Sequence, residues 1–194
     1  MTYKIWIQEY IKHPLALGAL FPSSASLGSL MVKHIDADTI GPILELGPGT
    51  GSFTKALLRK GINENNLVLV EQSQEFVNLL KGFFPKATIV CGDVRQISQI
   101  SSELGINQFD EIVSGLPLNA MGAAVRRGIC NDSFSILKPR GSFVQVSYIP
   151  ICSIPKNVID NYSAEKKYCG VTLTNMPPAF VWRVTKPKRM LNDE

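Results

Sequence analysis

"ILELGPGTGSF", residues 43–53, decides the fold. A short buried strand runs into three glycines, Gly47, Gly49 and Gly51, and a helical pattern begins at Ser52. Glycines at such a turn let the backbone take left-handed angles and approach a ligand with no Cβ in the way. The spacing is GxGxG. A dinucleotide fingerprint would need its third glycine at position 52, where this chain has Ser52. A Gly-Lys-Ser/Thr phosphate loop is also missing, and Glu45 stands two residues before the first glycine.

Working outward, apolar β-branched runs alternate with helical stretches. The runs are "ILEL" (43–46), "NLVLVE" (66–71), "ATIVCGD" (87–93), "EIVSG" (111–115) and "SFVQVSYI" (142–149). Helical patterns fill 52–60, 73–84, 94–104 and 119–137. Strands apolar on both faces belong to a parallel sheet covered by helices, so the alternation predicts a doubly wound α/β fold. "GVTLTN" (170–175) and "AFVWRVT" (179–185) are expected as an antiparallel pair at the sheet edge, with Pro177 and Pro178 interrupting the ladder. A crevice is expected between the first and fourth strands, where the strand order reverses.

The chain has 194 residues, 45% hydrophobic and 19% charged, which suits one globular domain. Residues 1–40 are expected to form N-terminal helices and 41–194 the α/β core. The longest clean apolar run, Leu15–Phe21, falls short of a bilayer span, and no secretory signal pattern opens the chain. Cys91, Cys130, Cys152 and Cys169 form no CxxC, which argues for reduced thiols in the cytoplasm and against a metal site. Net charge is +4, and residues 151–194 hold seven basic and four acidic side chains. The cluster "TKPKRM" is either a solvated end or a contact for an anionic surface.

With Glu45 and GxGxG in place, the sequence resembles the class I S-adenosylmethionine-dependent methyltransferases. The resemblance implies a Rossmann-like fold with a mostly parallel seven-stranded sheet and S-adenosyl-L-methionine as cofactor. It assigns cofactor contacts to Glu45, Gly47, Gly49, Thr50 and Gly51, and to Ser114 at the end of the fourth strand. Glu71, ending the second strand, is expected to accept hydrogen bonds from the ribose hydroxyls, with Gln72 beside it. Asp93 in "CGDV", with Gly92 and Val94, is expected at the adenine. Each acid taken singly could also be a helix N-cap.

The fourth strand ends in "SGLPL" (114–118), which carries no acid, base, metal ligand or nucleophile. Methyl transfer from a sulfonium is an in-line displacement, so alignment and exclusion of water suffice. For an amine acceptor the obstacle is its proton: an alkylammonium of pKa ~10 costs about 4 kcal/mol to neutralise at pH 7. Burial beside a positive sulfonium lowers that pKa. Backbone carbonyls of Ser114, Gly115 or Leu116 could then hold the remaining N–H groups. Such a ledge suits N-methylation.

Two narrower resemblances compete. Ribosomal RNA adenine dimethyltransferases carry Asn-Leu-Pro-Tyr/Phe where this chain has Gly115-Leu116-Pro117-Leu118, so the amide and the stacking ring are missing. "NMPPA" (175–179) looks similar but follows the fifth strand and ends in Ala179. The sequence resembles bacterial phospholipid N-methyltransferases, and ornithine-lipid N-methyltransferases, over "GALFPSS" (18–24), "LELGPGTG", "SGLPL", "LKPRGSFVQVSY" (137–148) and "NMPPAFVW" (175–182). Arg140 departs from the glycine usual in that family. The resemblance implies a phosphatidylethanolamine or ornithine-lipid substrate, a peripheral place at the inner face of the cell membrane, a cofactor role for Ser24, and no nucleic acid. A non-enzymatic cofactor-binding module is the remaining rival.

In "MTYKIWIQEYIKHP" (1–14), Tyr3, Trp6, Ile7, Tyr10 and Ile11 share one helical face, opposite Lys4, Gln8 and Lys12. That face either lies in an anionic membrane surface or packs as a lid on the core. Tyr148, ending the fifth strand, is expected at the acceptor amine or as a buried, hydrogen-bonded tyrosine.

Overall fold

The computed structural model describes residues 24–175 and 177–188. The strands are β1 (Ile43–Leu46), β2 (Leu67–Glu71), β3 (Thr88–Cys91), β4 (Phe109–Ser114), β5 (Leu137–Ser147), β6 (Glu165–Thr172) and β7 (Ala179–Thr185). The helices are α1 (Ala25–Val32), α2 (Ser52–Arg59), α3 (Gln74–Phe83), α4 (Ile97–Glu103), α5 (Ala123–Ser135) and α6 (Lys156–Asn161). The seven strands order as β3-β2-β1-β4-β5-β7-β6. β1 to β5 run parallel, and β7 pairs antiparallel with both β5 and β6. The reversal lies between β1 and β4, as expected for a doubly wound sheet.

Period-two alternation splits the core into two apolar layers. Leu44, Leu46, Val68, Val70, Ile112 and Phe143 face one layer, with Phe134 and Ile129 of α5. Ile43, Leu67, Leu69, Val113, Val144 and Val181 face the other, with Leu27 and Met31 of α1 and Leu57 of α2. Helix α1 thus joins the second layer and packs on α2, β5, β6 and β7.

Several boundaries differ from expectation, each for a local reason. β3 is shorter than 87–93 and half-exposed, because it is an edge strand. α5 starts at Ala123 rather than 119, because residues 118–120 close a 3₁₀ turn after Pro117 and Gly122 supplies the N-cap. β6 begins at Glu165, earlier than "GVTLTN", and its Lys166 and Lys167 suit an unpaired edge. β5 begins at Leu137, not Ser142, and passes through a kink at Arg140.

Arg140 sits at φ 65, in the left-handed region. A side chain there costs roughly 1–2 kcal/mol, partly offset by the greater unfolded-state freedom of glycine. Arg140→Gly should therefore raise stability by about 1 kcal/mol, seen as a higher urea midpoint at unchanged slope. A lower midpoint would contradict the strain.

The tail's cationic cluster is partly structural. Lys186 Nζ donates to Phe134 O at 3.1 Å and Leu137 O at 2.7 Å, capping the end of α5. Burial lowers its pKa. The four cysteines are free thiols. The amphipathic stretch at Tyr3, Trp6, Ile7, Tyr10 and Ile11 lies outside the described residues. Among the described residues no helix is long and apolar enough to cross a membrane, and no cluster of potential metal ligands occurs.

Candidate functional site

The parallel strands bring their carboxyl ends to one edge. After β1 the chain turns through Gly47 (φ 67), Gly49 (φ 54) and Gly51 (φ 76), all left-handed. Gly47 N donates to Val70 O at 3.0 Å, and Gly51 N to Pro48 O at 2.9 Å. Behind the loop the fit is tight: a Cβ on Gly51 would lie 2.5 Å from Phe84 Cε2. At Gly49 a Cβ would meet nothing within 4 Å. The loop is packed at its ends and open at its middle.

Glu71 ends β2 and joins the loop to the next turn. Its Oε2 accepts from Gly49 N at 3.1 Å, and its Oε1 from Ser73 N at 2.9 Å. Each oxygen retains lone pairs toward the crevice. The neighbouring Gln72 Oε1 is shielded from solvent and takes no donor among the described residues. Asp93 lies two residues beyond β3 and caps the 3₁₀ turn Val94–Gln96, accepting from Arg95 N at 2.9 Å. Arg95 Nε also donates to it, at 2.7 Å. Burial opposes ionisation of Asp93, but the Arg95 hydrogen bonds and charge outweigh it and hold its pKa below the ordinary value. The capping alternative holds for Asp93. A Cβ on Gly92 would come within 2.8 Å of Ile100 Cδ1, the movable end of a side chain, and Val94 is buried in the core. Thr50 is exposed, its hydroxyl 3.5 Å from Ser52 Oγ.

Alternation along β1 turns Glu45 toward α2, where it is 1% exposed. Thr54 Oγ1 donates to its Oε2 at 2.7 Å, and Oε1 takes no donor among the described residues. Burial pushes its pKa up to about 7, against the Thr54 hydrogen bonds and helped by nearby Glu71.

Opposite the glycine loop, β4 ends at Ser114. A Cβ on Gly115 would lie 3.2 Å from Gly47 O, and one on Gly47 would lie 2.7 Å from Leu116 Cδ2. The two loops touch: a Cβ on Gly115 would press on the Gly47 carbonyl, and Gly47 is favoured by its left-handed φ. The expected ledge needs one correction: the Leu116 carbonyl is already occupied. It accepts from Leu118 N at 2.8 Å and from Gln145 Nε2 at 2.8 Å, which fills both lone pairs. Ser114 Oγ accepts from Leu116 N at 3.3 Å.

A pocket of about 140 Å³ lies between residues 117–120 and 146–149, with Tyr148 in its wall. It contains no carboxylate, imidazole, amine or thiol. Asn119 Nδ2 donates to Ser147 Oγ at 3.0 Å, and Arg126 Nη1 donates to Asn119 Oδ1 at 3.2 Å. Sequence reading missed Gln145, Asn119, Ser147 and Arg126. The available signal was Gln145, a lone amide inside the apolar run "SFVQVSY".

The hydrogen bonds of Ser24 among the described residues do not go to the glycine loop. Ser24 caps α1 by accepting from Leu27 N at 3.1 Å, while its own N–H donates to Asn175 Oδ1 at 3.1 Å. "FPSS" and "NMPPA" therefore meet through Ser24 and Asn175. β7 runs antiparallel to β5, so the β6–β7 turn holding Asn175 sits at the same sheet edge as the crevice.

Comparison with known proteins agrees with this geometry. The methyltransferase-domain family matches residues 43–141. An ornithine lipid N-methyltransferase of Singulisphaera acidiphila is 31% identical over 149 residues, covering 75% of this chain and 78% of that protein. Ribosomal RNA small subunit methyltransferase A of a Hydrogenobaculum species is 27% identical over 66% of this chain, which spans about half of that relative (48%). Among solved structures, Burkholderia thailandensis 1,6-didemethyltoxoflavin-N1-methyltransferase, with bound S-adenosylhomocysteine, superposes at TM-score 0.62 with 13% identity, covering 95% and 87% of the two chains. A TehB-like methyltransferase of Corynebacterium glutamicum gives TM-score 0.59 at 17% identity, covering 95% and 97%. The glycine loop, the strand order and these matches agree: the chain belongs to the class I methyltransferases and uses S-adenosylmethionine as its cofactor.

Proposed function

We propose that the chain methylates the head-group amine of a membrane lipid, with phosphatidylethanolamine the first candidate and an ornithine lipid the second. One observation carries the reading. The pocket between the segments that follow β4 and end β5 offers only backbone, amide and hydroxyl groups, and exposed Ile149 (45%) lies in its wall. An amine needs orientation there and no side-chain base, and an acyl chain needs an apolar rim.

The crevice suits the cofactor: Gly49 leaves open space, and Gln72 Oε1 and Glu45 Oε1 are acceptors without donors among the described residues. When bound, S-adenosylmethionine supplies an activated methyl group on a sulfonium. Glu71, Gln72 and Asp93 are the groups to hold the nucleoside, and Gly47, Gly49, Thr50 and Gly51 line its approach. Gly115 is left as the ledge's acceptor once Gln145 has claimed the Leu116 carbonyl. Ser114, Tyr148, Asn119 and Ser147 frame the acceptor, and the burial of Val146 and Leu118 keeps water away. Ser24 acts at second hand, by fixing the 174–175 turn beside the crevice.

An RNA adenine acceptor is supported by the ribosomal relatives, but Leu118 provides no ring on which a base would stack. Labelled cofactor incubated with total lipid extract, separated by thin-layer chromatography, should place the label on an amine lipid. Label on ribosomal RNA instead would overturn the reading. The face formed by Tyr3, Trp6, Ile7, Tyr10 and Ile11 is proposed as the bilayer contact at the inner membrane surface. Trp6→Ser with Tyr10→Ser should cut liposome sedimentation about tenfold or more, since each buried aromatic contributes roughly 1.5–3 kcal/mol. Unchanged sedimentation would return the helix to a lid.

A further inference from the structure

We propose that Arg126 is the receptor for the acidic group of the substrate head group, the phosphodiester or carboxylate that accompanies its amine. This deepens the lipid-amine reading and rests on it. Arg126 lies in the first turn of α5 and is half-buried. Nη1 donates to Asn119 Oδ1 at 3.2 Å, and Asn119 lines the pocket. Asn119 then donates to Ser147 Oγ at 3.0 Å, and Ser147 to Ile149 O at 2.8 Å. The guanidinium is thus wired to the pocket wall by a chain of hydrogen bonds with consistent donor sense.

Its charge, however, is unanswered. The ion pairs among the described residues use Arg95, Lys138, Lys156 and Arg183, and none uses Arg126. Arg126 Nε is shielded from solvent and takes no acceptor among the described residues. A guanidinium whose one acceptor among the described residues is neutral keeps donors for an anion. If Arg126 served only to orient the Asn119 amide, a single neutral donor would suffice. The surroundings have the matching sign: the first turn of α5 has no acidic residue and no side-chain cap, so its positive dipole end is also uncompensated. Residues 114–124 contain no acid. Arg is the side chain suited to bidentate contact with phosphate or carboxylate. An anion seated at Arg126 leaves an amine a few bonds away in the pocket beside Asn119.

The test compares wild type, Arg126→Gln and Arg126→Lys in methyl transfer to detergent-dispersed phosphatidylethanolamine and, separately, ornithine lipid. A long-chain alkylamine, which has the amine and no acid, serves as competing acceptor. For the preferred lipid, Arg126→Gln should raise KM about 10- to 100-fold with kcat nearly kept. Arg126→Lys should be intermediate. Preference for lipid over alkylamine should collapse in Arg126→Gln, while calorimetric affinity for S-adenosylhomocysteine stays at the wild-type value. An unmoved KM, or equal loss for lipid and alkylamine, would overturn the anion receptor while the lipid reading stands. Methylation of neither lipid by the wild type would take down both.

Discussion

Gly51→Ala should unfold far more readily than the wild type, whereas Gly49→Ala should fold and bind S-adenosylhomocysteine poorly. The two glycines share a loop and a left-handed backbone, but face opposite surroundings. At position 51 a Cβ would lie 2.5 Å from Phe84 Cε2, 2.9 Å from Cζ and 3.2 Å from Leu80 Cδ2. Phe84 is 3% exposed, and its ring cannot swing away cheaply. Left-handed strain of roughly 1–2 kcal/mol and overpacking of roughly 1–3 kcal/mol give a loss of about 3 kcal/mol. At position 49 only the backbone strain remains, about 1 kcal/mol, and the methyl group projects into the crevice. Chemical denaturation beside calorimetry separates the outcomes. Wild-type affinity in Gly49→Ala would mean that the cofactor does not approach the loop there.

The second large effect is electrostatic. Wild-type stability without cofactor should fall as pH rises from about 4.5 to about 7, and Glu45→Gln should remove roughly half of that fall, the rest belonging to Glu111. The sign follows from Glu45, whose pKa burial raises from 4.5 to about 7. In that window the unfolded carboxylate has lost its proton while the folded one keeps it. The folded state therefore binds more protons and loses stability with rising pH, by about 3 kcal/mol from Glu45 once the carboxyl is ionised in both states. Glu111, raised to about 7 by burial against the opposing pull of Arg183, adds in the same direction and remains in the variant. Above pH 7, Glu45→Gln should be the more stable protein. An unchanged pH dependence in the variant would show that Glu45 is already ionised in the fold.

Much of the fold was legible because its signals are local. Buried strands running into glycines and helices separated by turns are written in consecutive residues, and the β1–β4 switch follows from them. What escaped depends on neighbours distant in sequence. β6 begins in Glu165-Lys166-Lys167, which shows no apolar run because an edge strand needs none. Gln145 becomes meaningful only when β5 lies beside β4 and its amide reaches the Leu116 carbonyl. Asn119 and Ser147, 28 residues apart, form a pocket wall by the same adjacency. Ser24 was singled out for the cofactor, and its partners distant in sequence are Thr174 and Asn175. "NMPPA", set aside as a false motif, supplies one of them. Arg140 was recognisable as an unusual residue, but its cause, a left-handed kink at the register shift within the β4–β5 pairing, is a property of the folded backbone.

Calorimetric titration of the purified chain with S-adenosylhomocysteine tests the crevice most directly. The account predicts saturable heat with one molecule bound per chain, strongly weakened in Gly49→Ala and retained in Arg126→Gln. Absence of heat from the folded wild type, or equal binding by Gly49→Ala, would contradict it.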